Sequence, residues 1–265
     1  MDYFPQLSTG NSVQYPLMKS QGFRTVTVRS EDGRTSKYED GGWRTIEWEL
    51  QFEGLTSDEW TRLGNHFASA EGRLNTFPFL DGSDNLLKWS EKLSDSAWTV
   101  DPLLHPTAGI DDPAGGTQGM RIENAGIAWQ GVSQTLPAPA AFNYCFSVTA
   151  RSSAGARMRM NISGDSQQVQ QEFAIDPEWR RYVVTGNLPG TELVVHFGLQ
   201  INQGNQVDLF GMQVEPQTGA SRYKKTMALN GVHQSTRYDQ DELKLTSNRP
   251  DEYSTTIRLV SREPL

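Results

Sequence analysis

Hydrophobic and polar residues alternate with a period of two along much of the chain, which predicts β-strands rather than helices. The first clear run covers residues 23–29, where Val26 and Val28 interleave with Thr25, Thr27 and Arg29. Asp32-Gly33 follows, a tight-turn signal between two extended segments. A second turn cluster, Asp40-Gly41-Gly42, leads into the longest alternation. Over residues 43–54, Ile46, Trp48, Leu50 and Phe52 point one way, and Glu47, Glu49, Gln51 and Glu53 the other. A slip of one residue would bury three carboxylates, so the pattern specifies the register as well as the strand.

One helix interrupts the strands. Thr56 and Glu59 form a Thr-x-x-Glu capping box, Leu55 and Trp60 a hydrophobic staple. Trp60, Leu63 and Phe67 share an apolar face, and Gly72 supplies a left-handed stop. A short apolar segment, residues 76–80, ends at Asp81-Gly82-Ser83-Asp84. Residues 110–126 are dense in Gly, Asp and Pro and read as irregular.

A series of strands then begins. Tyr144, Phe146, Val148 and Ala150 share a face, as do Met158, Met160 and Ile162. So do Leu193, Val195, Phe197 and Leu199, and in the next strand Asp208, Phe210, Met212 and Val214. Residues 130–136, 168–173 and 180–185 are further extended segments. Many short strands at close spacing predict a mainly β protein with a sandwich or jelly roll. The pattern stops around residues 221–231 and resumes at 243–246 and 253–260. These late strands would complete the N-terminal sheet. The division predicted is therefore residues 1–84 with 228–265 as one domain and 85–227 as an insertion.

Charge and composition narrow the function. The 265 residues carry 24 Lys or Arg and 32 Asp or Glu, a net −8. An acidic chain is a poor grip for duplex DNA, which needs clustered cations. No apolar stretch approaches the ~20 residues of a membrane span, and the first residues, Met1-Asp2-Tyr3-Phe4-Pro5, lack a signal-peptide pattern. Synthesis in the cytosol is expected. Cys145 is the only cysteine, so neither an internal disulfide nor a thiolate zinc site is available.

Two sets of residues carry a family resemblance. Phe4-Pro5-Gln6-Leu7-Ser8-Thr9-Gly10, the 43–54 strand, Leu55-Thr56-Ser57-Asp58-Glu59-Trp60 and Phe77-Pro78-Phe79-Leu80-Asp81 together resemble the distal tail proteins of bacteriophages with long non-contractile tails. Asn85-Leu86-Leu87-Lys88-Trp89-Ser90-Glu91, Leu209-Phe210-Gly211-Met212-Gln213-Val214-Glu215 and Ala220-Ser221-Arg222-Tyr223-Lys224-Lys225-Thr226 resemble a jelly roll of phage tail and fibre proteins that is similar to carbohydrate-binding modules.

The resemblance implies a tail-tube-like β-barrel or sandwich built from both chain ends. It would form a ring, usually a hexamer, at the virion's tail tip. The ring would join the tail tube protein to the baseplate hub protein, with genome DNA passing through unbound and no membrane insertion. The jelly roll would project outward, either to bind host-surface saccharide or to dock tail fibres. A stand-alone glycan-binding adhesin is one alternative reading and a tail-associated polysaccharide hydrolase another.

Candidate site residues follow. Glu47, Glu49 and Glu53 would line the ring's lumen and repel DNA, or simply form a solvated strand face. Trp129, after a Gly-containing stretch, is the aromatic that could stack on a sugar, whereas Trp89 and Trp98 read as sandwich packing. Asp111, Asp112, Asp165 and Asp208 offer oxygen ligands for calcium but form no Asp-x-Asp-x-Asp loop, so no metal is assigned. No cofactor is expected. His66, His105, His196 and His233 are scattered, and there is no Gly-x-Ser-x-Gly elbow. Asp239, Asp241 and Glu242 are most simply a solvated turn, Cys145 a half-buried small residue, and Gly115-Gly116 lacks the Lys-Ser/Thr of a phosphate loop. No catalytic residue is assigned.

Overall fold

The computed structural model describes residues 2–264, excepting the side chains of Asp40 and Asn248. The chain packs as two compact units. One comprises the stretch up to Leu7, Val13–Phe79 and the stretch from His233 onward; the other comprises Ser8–Ser12 and Leu80–Val232.

The first unit contains β1 (Leu17–Arg29), β2 (Thr35–Leu55), α1 (Ser57–Ala70) and β3 (Phe77–Leu80). In the second, ten strands follow: β4 (Thr99–Val100), β5 (Leu104–Ile110), β6 (Gly119–Asn124), β7 (Gln130–Pro137), β8 (Tyr144–Arg151), β9 (Arg157–Ser163), β10 (Gln168–Ala174), β11 (Arg180–Gly186), β12 (Val194–Ile201) and β13 (Gln206–Glu215). The chain then returns to the first unit with β14 (Val232–Tyr238), β15 (Thr246–Arg249) and β16 (Glu252–Pro264).

In the first unit the strands run β1-β2-β16-β14-β3, with β15 added on β16. β16 pairs antiparallel with β2, Leu259 opposite Trp48 and Ile257 opposite Leu50. The sheet is open, with β1 and β3 at its edges, so the expected barrel is corrected to an open antiparallel sheet. The alternation over 43–54 is realised: Ile46, Trp48, Leu50 and Phe52 are all buried. Phe4, Phe77, Phe79 and Tyr238 pack with them.

Thr56 caps α1, its backbone N–H donating to Glu59 Oε2 at 2.9 Å while the Glu59 N–H donates back to Thr56 Oγ1 at 3.3 Å. Leu63 is buried and Phe67 partly so, but the buried face is completed by His66 and Ala70 rather than by Trp60, which is half-exposed. The left-handed stop begins one residue early, at Glu71 (φ 53°), before Gly72 (φ 61°).

Three other expectations need correction here. Asp40-Gly41-Gly42 is not a turn. It lies inside β2, where Gly41 and Gly42 take φ of 90° and 64° as the register slips between Phe23 and Thr25 of β1. The expected strand at 243–246 sits later, at β15. The pattern gave no sign of β14, because the residues it buries are His233, Thr236 and Tyr238, which polarity-based reading takes as loop.

The second unit is a jelly-roll sandwich of two five-stranded antiparallel sheets, ordered β10-β9-β12-β7-β4 and β11-β8-β13-β6-β5. Phe146, Val148, Met160, Ile162, Phe197 and Leu199 fill its core at no more than 1% exposure. Residues 110–126 are less irregular than expected, since β6 runs through them with Met120 and Ile122 buried. Leu193 precedes β12 and is exposed.

In β13 the shared face splits. Leu209 faces Ala150, and Val214 faces Phe146, both towards the core, whereas Phe210 faces Thr149 and Gln213 faces Ser147 on the other side. A bulge at Gly211 (φ 66°) flips the parity between Phe210 and Met212.

Asn85, at 0% exposure, ties this region together. Its Nδ2 donates to the carbonyls of Met212 (2.9 Å) and Lys224 (3.2 Å), and its Oδ1 accepts from the N–H groups of Leu87 and Val214, both at 3.0 Å. The fully buried Glu215 holds residues 221–224 across the outer side of its sheet, accepting from the Ser221 N–H at 2.9 Å and Lys224 Nζ at 2.8 Å.

Candidate functional site

Strand register assembles a polar face on the outside of the β10-β9-β12-β7-β4 sheet. Side chains alternate across a strand, so paired residues share a face. One row reads Glu172, Arg159, Gln200, Gly131. The next reads Gln170, Asn161, Gly198, Ser133, Thr99. The third reads Gln168, Ser163, His196, Thr135. The strand residues between them, including Met160, Ile162, Phe197 and Leu199, are in the core.

Apart from the two glycines, every side chain in these rows ends in a hydrogen-bonding group. The middle row is shallow at its centre. A Cβ on Gly198 would stand 3.0 Å from Asn161 Oδ1 and 3.1 Å from Ser133 Cβ, and one on Gly131 would meet the Leu199 carbonyl oxygen at 2.4 Å. The result is a trough flanked by Arg159 and Gln200 on one side and His196 and Thr135 on the other. Thr135 Oγ1 and His196 Nδ1 share a hydrogen bond of 2.8 Å.

Trp129 borders this face. The loop before it is fixed by Asn124, 1% exposed, whose Nδ2 donates to the carbonyls of Ala128 (2.8 Å) and Ile201 (3.0 Å) and whose Oδ1 accepts from the Gly126 N–H (2.8 Å). The Arg159 guanidinium lies 3.8 Å from the centroid of the Trp129 ring. Arg159 Nε also donates to Glu172 Oε2 at 2.9 Å, and Arg157 to Glu172 Oε1 at 2.8 Å. These two guanidiniums hold the Glu172 carboxyl below its ordinary range. Trp129 is thus half-buried and braced on one side by a cation.

The other sequence candidates lie elsewhere. Glu47, Glu49 and Glu53 do share one face of β2, but Glu49 pairs with Arg258 at 3.1 Å and Glu47 accepts from Ser20 Oγ at 3.3 Å. The backbone N–H of Glu53 donates to Gln14 Oε1 at 2.8 Å. Trp98 is buried and its Nε1 donates to the Trp89 carbonyl at 3.0 Å, while Trp89 is half-exposed beneath Lys92.

The four aspartates do not converge. Asp208 sits between Arg121 (2.6 Å) and Arg151 (3.1 Å). Burial pushes its pKa up, but the two guanidiniums outweigh that and lower it. Asp112 accepts from the N–H groups of Ala114, Gly116 and Gln118, whereas Asp111 and Asp165 are exposed. Among the described residues, no three His, Cys, Asp or Glu side chains form a metal-holding group.

Asp239, Asp241 and Glu242 line an open groove of about 700 Å³ in the first unit. Asp241 Oδ1 there accepts from the Arg73 N–H at 3.1 Å, and Arg73 donates to the Asp239 carbonyl at 2.7 Å. Cys145 is fully buried rather than half-buried, and burial pushes its thiol pKa up to about 12. His66 and His233 are buried and His105 exposed; only His196 joins the polar face.

No protein-family model matches the chain, and no curated protein matches it. Solved structures do resemble part of it. The CBM22-1 xylan-binding domain of Paenibacillus barcinonensis Xyn10C is 16% identical with a TM-score of 0.41, over 53% of this chain and 97% of that one. TmCBM61, solved with β-1,4-galactotriose, is 12% identical with a TM-score of 0.35, over 45% of this chain and 88% of that one. The enzymatically active domain of bacteriophage CBA120 tailspike protein 4 is 8% identical with a TM-score of 0.40, over 52% of this chain and 22% of that one. This chain likewise spans only 28% of the CBM22-1-GH10 portion of Clostridium thermocellum xylanase 10B. Among the described residues, no helix is long and apolar enough to cross a membrane.

Proposed function

We propose that the jelly roll binds saccharide on the face carried by β9, β12 and β7. The observation behind this reading is the trough over Gly198, walled by Arg159, Gln200, Asn161 and His196 and bordered by Trp129. Sugar hydroxyls are both donors and acceptors, and side chains such as Asn, Gln, Arg and His meet them with several hydrogen bonds at fixed angles. An indole beside such groups offers an apolar surface for the C–H face of a sugar ring. Bracing by Arg159 and Glu172 holds the ring still, so little side-chain entropy is lost on binding.

The test is a glycan array followed by calorimetry on the hits. Trp129→Ala and Asn161→Ala should each weaken binding at least about tenfold, with thermal unfolding unchanged. Retained affinity in both variants, or no bound glycan for the wild type, would remove the assignment.

We further propose that the first unit assembles as the distal-tail ring of a phage tail tip, linking tail tube to baseplate hub. The open sheet with an exposed β1 edge favours self-association, because an unpaired edge invites another strand. In such a ring, probable DNA contact would be repelled if Glu47, Glu49 and Glu53 face the lumen, although Glu49 already has Arg258 as a counter-charge. Negative-stain images showing closed rings support this reading, and a monomer under all conditions removes it.

A further inference from the structure

Residues 17–44, β1 and the facing part of β2, form a two-stranded ribbon that is exposed along its length. Twelve of the thirteen residues of β1 are exposed. Cross-strand register divides the outer ribbon into two different faces. Val26 lies opposite Tyr38 and Val28 opposite Ser36, while Thr25 lies opposite Glu39 and Thr27 opposite Lys37. One face is therefore apolar and the other polar.

Such alternation belongs to a sheet that buries one side. Further along β2 the same pattern is buried, with Ile46, Trp48, Leu50 and Phe52 at 3% exposure or less. On the ribbon, Val26, Val28 and Tyr38 are 39%, 51% and 57% exposed. A hairpin of two strands with nothing against its apolar side is marginally stable in water.

Charge indicates what covers it. The ribbon holds six Lys or Arg and four Asp or Glu, a balance of +2, whereas the rest of the first unit holds seven and thirteen, a balance of −6. A cationic arm on an acidic body is complementary to another copy of itself. We propose that the Val26–Val28–Tyr38 face of the ribbon docks on the acidic body of a second copy of this chain. Arm and body are different surfaces, so the contact is heterologous and its product is a closed ring or a filament, not a two-fold dimer. The inference deepens the ring reading and rests on it only in requiring that copies associate.

Light scattering on the full chain after size exclusion tests it. The wild type should assemble, and assembly should weaken as salt rises. Val26→Thr/Val28→Thr/Tyr38→Thr keeps β-forming residues but removes the apolar face, and should raise the dissociation constant at least about tenfold or leave monomer. Val28→Thr alone should do so in part, while Thr25→Ser/Thr27→Ser on the polar face should leave assembly unchanged. Thermal unfolding of each variant checks that the fold is kept. Assembly of the triple variant equal to wild type would overturn the ribbon assignment and leave the ring reading standing. Equal loss from the polar-face variant would overturn the choice of face, and a monomeric wild type would overturn both proposals.

Discussion

His66 shows how one buried residue makes stability depend on pH. It is 7% exposed, 2.7 Å from Tyr238 Oη through Nδ1 and 3.3 Å from the Asp2 carbonyl through Nε2. A carbonyl only accepts, so Nε2 carries the proton and Nδ1 accepts from the tyrosine hydroxyl. Both nitrogens are satisfied by the neutral ring. Burial lowers the His66 pKa, and the Asp2 carbonyl offsets only part of that. A histidine with a depressed folded-state pKa stabilises the fold above its unfolded value, about 6.5, and loses that contribution as pH falls. Urea unfolding at pH 7 and pH 5 should show a loss of stability that levels off below the folded-state pKa. His66→Gln should remove the part of this loss due to the imidazole; an unchanged pH dependence would assign it to other groups.

At the scale of elements, the bulge in β13 is the clearest case of backbone chemistry setting side-chain direction. Gly211 takes φ 66°, and a Cβ there would stand 3.0–3.2 Å from the Tyr223 ring carbons. Gly211→Ala should cost about 2 kcal/mol, from the left-handed conformation plus the displaced ring, read as a lower urea midpoint at constant slope. The sequence read Asp208 and Phe210 with Met212 and Val214 because nothing in an alternating run marks an extra residue except the glycine itself. Where no bulge intervened, reading was reliable, as at Trp48 to Phe52 and at the Thr56–Glu59 box. It failed at β14, whose inward residues His233, Thr236 and Tyr238 are polar atoms satisfied or enclosed by tertiary neighbours. Trp129 was legible as a candidate from its local context. Its partner Arg159 was not, since the contact depends on the pairing of β9, β12 and β7. The polar trough has the same origin: Arg157, Arg159 and Asn161 alternate visibly with Met158, Met160 and Ile162, but the rows they join exist only once register is known.

For the whole molecule, two separate cores imply two stability terms. One is built on Phe4, Trp48, Leu50 and Tyr238, the other on Phe146, Met160, Phe197 and Leu199. Compact units with their own cores unfold as separate cooperative transitions unless strongly coupled. Two perturbations on the page act on different units. Acid acts on the first through His66. Asn85→Ala acts on the second, since it strips partners from two carbonyls and two N–H groups at a fully buried site. Each orphaned buried group costs about 1–3 kcal/mol before relaxation and water entry reduce it, so a loss of roughly 3–5 kcal/mol is expected. Calorimetry should resolve two transitions, one moved by lowering pH from 7 to 5 more in the wild type than in His66→Gln, the other moved by Asn85→Ala at constant pH. If both transitions shift together under either perturbation, the units fold as one cooperative body and the separate assignment of assembly and saccharide binding to them loses its thermodynamic basis.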